Sequence, residues 1–149
     1  MTWDAKKLRL QQLIEQDTGI ERVRRGGLDN FAQKRAREIR AEVDPRSQET
    51  PTHRGWQLGD PIEPDTWDSY WEDLPSWVTM FGENLTWNYL HKDSVKAAAE
   101  GWKNSPPHWA NETNPNFKRM GLGITRLILP GDESNPLAWR WYYVAIYTN

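Results

Sequence analysis

The sequence predicts an α+β domain. Apolar residues at helical spacing recur through the first two thirds of the chain. Two runs rich in aromatic and β-branched residues follow, separated by a turn of Gly, Asp, Asn and Pro. At 149 residues the chain is most simply one domain, long enough to bury a core without cross-links. It is polar, with a mean hydropathy of -0.90 and 37% hydrophobic residues. Ten Trp offset this, since each can bury a large apolar area. The predicted core is therefore small and aromatic, with long loops supported by ten Pro and ten Gly.

Taken in order, residues 3–16 predict a helix, with Leu10, Leu13 and Ile14 on one side and a break at Asp17-Thr18-Gly19. A short helical piece is expected from Ile20 to Arg25, stopped by Gly26-Gly27. Asp29 or Asn30 can cap the next helix, whose stripe is Ala32, Ala36, Ile39 and Val43 and whose end is Pro45. Arg22, Arg24, Arg25, Lys34, Arg35, Arg37 and Arg40 make this region basic, with acids interleaved. A solvated face with ion pairs is the expectation, and an anionic partner the alternative. Residues 44–66 read as loop, and His53 lies among them.

Trp67, Tyr70, Trp71, Leu74 and Trp77 then return at helical spacing, with Asp65 or Thr66 as cap and Pro75 as interruption. Such a stripe is expected in the core; a sugar-stacking platform is the alternative. Residues 93–104 predict a helix capped by Asp93 or Ser94, with Val95, Ala98, Ala99 and Trp102 inward and Pro106-Pro107 closing it. Leu122 to Leu129 and Trp139 to Tyr147 predict a long hairpin. Gly121 and Gly123 are expected where backbone approaches a strand closely, and Asn84, Asn111 and Asn114 where turn backbone needs partners.

Composition narrows function. A net charge of -2 and a pI of about 5.9 speak against a nucleic-acid partner. The absence of cysteine excludes disulfides and thiolate metal sites. Residues 1–16 have no apolar signal-peptide core, and no stretch nears the roughly 20 apolar residues of a membrane span. A cytoplasmic product at synthesis is the expectation.

Four segments carry the chemistry: Gly82-Glu83-Asn84-Leu85, Trp102-Lys103-Asn104-Ser105-Pro106-Pro107-His108, Asn114-Pro115-Asn116-Phe117 and Gly121-Leu122-Gly123, before a last strand containing Trp141-Tyr142-Tyr143-Val144. In this order they resemble the CAP superfamily, or SCP-like domains (cysteine-rich secretory proteins, antigen 5, pathogenesis-related proteins of group one), in its bacterial, cysteine-free form. The resemblance implies a three-layer α-β-α sandwich with a C-terminal hairpin over residues 26–149, preceded by a helical extension over 1–25. It also implies a cleft lined by Glu83, His108 and a first histidine, for which His53, 30 positions before Glu83, is the candidate. Two positions depart from the pattern. Ser105 stands where a second glutamate occurs in the eukaryotic branch, and Pro107 and Trp109 stand where Gly and Arg flank the second histidine. His91 has no matching role and is expected on the surface.

Three readings of His53, Glu83 and His108 stand side by side. Two neutral imidazoles and a carboxylate can supply three of the four zinc ligands and leave a water, as in metal-assisted hydrolysis. Glu83 can instead orient His108 without metal, or accept backbone N–H bonds as a structural group. The resemblance implies a binding or adhesion module for cell-surface or envelope components, or protein partners in a larger assembly. The alternative is a metal-dependent hydrolase of glycan, peptidoglycan or peptide. Family members are mostly secreted; without a signal peptide, release inside a phage virion or tail is the expectation.

Overall fold

The computed structural model describes residues 2–42, 51–54, 61, 64–89, 93–129, 131, 134–135 and 138–149. Helix α1 spans Trp3–Thr18; Thr2 Oγ1 caps it by accepting from the Ala5 amide at 3.1 Å, and Gly19 at φ 70° ends it. Strand β1 is Val23–Arg24 and helix α2 is Gly26–Glu42. A 3-10 turn at Pro64–Trp67 leads into α3, Asp68–Asp73, which stops at Leu74 because Pro75 cannot continue it. Strand β2 is Phe81–Asn88, α4 is Ser94–Lys103 and α5 is Pro106–Thr113. Strands β3, Arg119–Ile128, and β4, Trp139–Thr148, form the expected hairpin. No helix of the described residues is long and apolar enough to cross a membrane.

The sheet order is β1-β3-β4-β2, with β1 parallel to β3 and the other pairs antiparallel. The two-residue period of β4 divides the core between its faces. Trp141, Tyr143, Ala145 and Tyr147 point toward α1 and α4, where they meet Leu10, Ile14, Val95, Ala98, Ala99 and Trp102. Tyr142, Val144 and Ile146 point the other way, into a second cluster with Leu28, Phe31, Ala32, Ala36 and Ile39 of α2, and with Tyr70 and Leu74. This is the three-layer sandwich. Trp102 is fully buried and donates from Nε1 to the Leu85 carbonyl at 3.1 Å; losing such an indole costs about 3–5 kcal/mol.

The two glycines of β3 decide how close α2 can come. A Cβ at Gly121 would run into the backbone of Leu28 and Asp29, and one at Gly123 into that of Ala32 and Gln33. Helix backbone therefore rests on strand backbone, as Gly121 and Gly123 suggested.

Three local expectations need correction, and two elements were not anticipated. Ile20 to Arg25 is not helical: the Val23 amide donates to the Lys118 carbonyl and the Arg25 amide to that of Met120, so the segment is drawn into the sheet. Gly26-Gly27 opens α2 rather than stopping a helix, and Asp29 lies inside its first turn. The Asp29 carboxylate accepts from the Leu122 amide at 2.9 Å and pairs with Arg24 at 3.1 Å, so it is not a cap. Pro106-Pro107 follow the end of α4 as expected, but they also open α5, where a missing N–H costs nothing, a helix that the sequence pattern did not announce. Finally, Gly82-Glu83-Asn84-Leu85 lies within a strand that sequence periodicity did not reveal. Val43, Pro45 and His91 lie outside the described residues.

Gly123→Ala forces a methyl group into backbone that cannot give way. It is expected to lower the unfolding free energy by about 3 kcal/mol, the upper end of over-packing. Urea denaturation checks this; an unchanged midpoint would mean that α2 does not rest on β3.

Candidate functional site

Strand β2 is an edge of the sheet, and its alternation turns Glu83 toward the α2 layer, opposite Ile146 of β4. The Glu83 and Arg35 side chains are both 0% exposed and joined at 3.0 Å, Arg35 Nε to Glu83 Oε2. Burying either charge alone is costly, so each requires the other. Arg35 also donates from Nη1 to Glu38 Oε2 at 2.7 Å and from Nη2 to the Thr52 carbonyl at 3.1 Å. The remaining Glu83 oxygen, Oε1, accepts from the Tyr70 hydroxyl at 2.5 Å and meets His53 Nδ1 at 2.8 Å. Arg54 closes the ring: its amide donates to Tyr70 Oη at 2.8 Å and its guanidinium to Glu38.

Burial pushes the Glu83 carboxyl up, but the hydrogen bond from His53 and the charge of Arg35 outweigh it, so it titrates below the usual carboxylate range. Burial and the Glu83 charge push the Tyr70 phenol far up, which keeps its proton on the donor side of the 2.5 Å bond. Burial lowers Arg35, and the facing Glu83 charge more than reverses this. An ionised carboxylate only accepts, so Nδ1 of His53 carries the hydrogen. The His53 ring leans edge-on against Trp67 at 4.9 Å.

His108 is held differently. It lies on α5, half-buried, with Nδ1 2.8 Å from Ser105 Oγ and its carbonyl accepting from Asn84 Nδ2 at 3.0 Å. Asn84 Oδ1 in turn accepts from Asn111 Nδ2 at 2.8 Å. Ser105 is therefore the partner of His108, a neutral hydroxyl where the resemblance had a glutamate. Burial, then the neighbouring His53, lowers the His108 pKa. Glu83 thus pairs with His53 rather than orienting His108, and its partners are side chains rather than backbone N–H groups.

The donor set does not fit zinc as it stands. Both Glu83 oxygens are engaged by Arg35, Tyr70 and His53. Among the described residues no group of three or more His, Cys, Asp or Glu is placed to hold a metal ion.

Sequence reasoning missed Arg35, Tyr70, Glu38 and Arg54 as members of this site. One signal was present: Arg35 sits one turn from Phe31, Ala32 and Ile39, so it falls on the buried stripe of α2. A solvated face therefore holds for the exposed Arg37 and Arg40 but not for Arg35 or Arg22. Arg22 is buried, donating to the Phe117 and Asn114 carbonyls with its guanidinium 5.0 Å from the Tyr147 ring centroid. The aromatic stripe is likewise divided, with Tyr70 and Leu74 in the core but Trp71 and Trp77 44% and 42% exposed.

A second buried carboxyl lies on the opposite face. Glu112 has no hydrogen-bond partner at either oxygen among the described residues. Burial and the charge of Asp17 push it up to about 7, against the pull of Arg22. Glu83 and Glu112 therefore shape stability in opposite senses. A folded-state pKa below the unfolded one gives stability that is lost as pH falls through it; one above gives stability that is lost as pH rises from the unfolded value toward about 7. Glu112→Gln is expected to raise the melting temperature at pH 8 relative to wild type and to narrow that gain at pH 4, read by calorimetry across pH. Equal gains at both pH values would contradict a protonation-linked penalty at Glu112.

The family model of the cysteine-rich secretory protein family, CAP, matches residues 23–128. A search of curated proteins found no match to the chain. Among solved structures, the fold is similar to an outer surface protein of Borrelia burgdorferi at 15% identity and TM-score 0.56, covering 100% of this chain and 95% of that one. It is also similar to an extracellular protein containing an SCP domain from Bacillus anthracis, at 17% identity and TM-score 0.58, with coverages of 100% and 44%. A cysteine-rich secretory protein of Staphylococcus aureus is similar at 13% identity and TM-score 0.55, with coverages of 99% and 40%. This chain spans less than half of the last two. With the family match over most of its length and the sandwich that these structures share, the chain belongs to the CAP family.

Proposed function

We propose that this CAP domain is a metal-free binding module for a cell-surface or envelope component bearing glycan. The observation that carries the reading is the commitment of Glu83: with both oxygens engaged by Arg35, Tyr70 and His53, the carboxylate holds the fold together and is not free to bind a metal or move a proton. The exposed indoles of Trp71 and Trp77 support the choice of ligand, since flat apolar rings suit the apolar faces of sugars. The outer surface protein of Borrelia and the extracellular SCP-domain protein of Bacillus anthracis, both similar in fold, lend support to an envelope setting.

Calorimetric zinc titration of the metal-stripped protein, beside sedimentation with insoluble envelope preparations, tests the proposal. The wild type and His108→Ala are expected to take up no zinc at one-to-one stoichiometry and to sediment equally. Trp71→Ala with Trp77→Ala is expected to lose most of the sedimented fraction. One-to-one zinc binding that His108→Ala abolishes would replace this reading with that of a metal-dependent hydrolase.

A further inference from the structure

Strand β1 covers β3 only at Arg119 and Met120, so the rest of that edge of β3 has no strand partner among the described residues. Side chains of α2 occupy its first part. Asp29 accepts from the Leu122 amide, and the Gln33 amide group grips Ile124 on both sides, accepting from its N–H at 3.0 Å and donating to its carbonyl at 2.7 Å. A side-chain amide there stands in for a strand residue. The outward groups alternate along a strand, so Arg126 and Ile128 turn the next N–H and C=O groups to the same edge. Those groups have no hydrogen-bond partner from α2.

A cleft of about 710 Å³ lies along this edge, walled by Trp3 and Lys7 of α1, Gln33, Arg37 and Arg40 of α2, and Arg126 of the strand. Among the described residues its walls hold four cations and no carboxylate. None of Lys7, Arg37, Arg40 and Arg126 forms an ion pair among the described residues, although the chain as a whole is acidic. Arg126 instead lies over the Trp139 ring at 4.5 Å.

We propose that this groove binds an extended acidic peptide segment of a partner protein, which adds as a strand to β3 at Arg126 and Ile128. Main-chain bonds to the strand edge would supply the register, and alternate carboxylates would meet Arg37 and Arg40 on one side and Lys7 on the other. Strand-spaced N–H and C=O groups favour a peptide over a nucleic acid, whose backbone offers neither. The groove lies on the opposite edge of the sheet from β2 and Glu83, so the proposal stands apart from the envelope reading.

Fluorescence anisotropy with a labelled peptide of alternating Glu and Val tests it. The peptide is expected to bind, more weakly as salt rises, and the exposed double change Arg37→Glu with Arg40→Glu is expected to weaken binding by about tenfold or more with an unaltered circular dichroism spectrum. The same peptide N-methylated at alternate residues, which keeps the charges and removes the main-chain donors, is expected to bind markedly less. No binding of the acidic peptide, equal binding of its N-methylated form, or tighter binding of a labelled oligonucleotide would each overturn the proposal.

Discussion

Arg35 and Glu83 are both shut away from water, and neither charge is tolerable there without the other. Breaking such a pair from one side costs about 3–5 kcal/mol, because the survivor is left charged in a medium that does not solvate it. That asymmetry makes the pair a joint. Through it, α2 is fixed to the edge strand β2, although α2 lies over β3 and the chain of β4 runs between. Everything else in the site is hung from it: Tyr70 brings α3, His53 and Thr52 bring the segment 51–54, and Glu38 with Arg54 closes the ring.

The two faces of the sheet solve burial in different ways. Toward α1 and α4 the core is aromatic and aliphatic, with Trp102 and Tyr143 keeping single polar bonds to Leu85 and Ser94. Toward α2 the glycines of β3 remove side chains so that helix and strand backbones touch, and the long Arg35 side chain can then span the sheet. The edges follow the same logic. β2 carries its polar residues inward onto a network, whereas the β3 edge is occupied by Asp29 and Gln33 and then flanked by cations. Charged flanks are a familiar way to keep an open edge from random pairing.

Much of this was legible in the sequence. The α+β class, α1, α4 and the final hairpin follow from periodicity, since each has a strong apolar pattern and a clear stop signal. The meeting of His53 and Glu83 was legible only through resemblance, because nothing local relates two residues 30 positions apart. Strand β2 was hidden: Glu83 and Asn84 are buried yet polar, so neither face of the strand looks apolar in sequence. Helix α5 was hidden because two prolines look like a terminator until the helix is seen to begin on them. Arg35 was misplaced among surface cations because charge outranked position, although its spacing from Ala32 and Ile39 put it on the buried side.

The central claim is that the His/Glu set is a structural joint closed by Arg35. A double-mutant cycle with Arg35→Met and Glu83→Leu, read by urea unfolding, tests it most directly. The account predicts that each single change costs about 3–5 kcal/mol and that the double change costs no more than either one, because removing both charges leaves none stranded. Additive losses, or single variants as stable as the wild type, would contradict it and return Glu83 to the role of a free carboxylate in a working cleft.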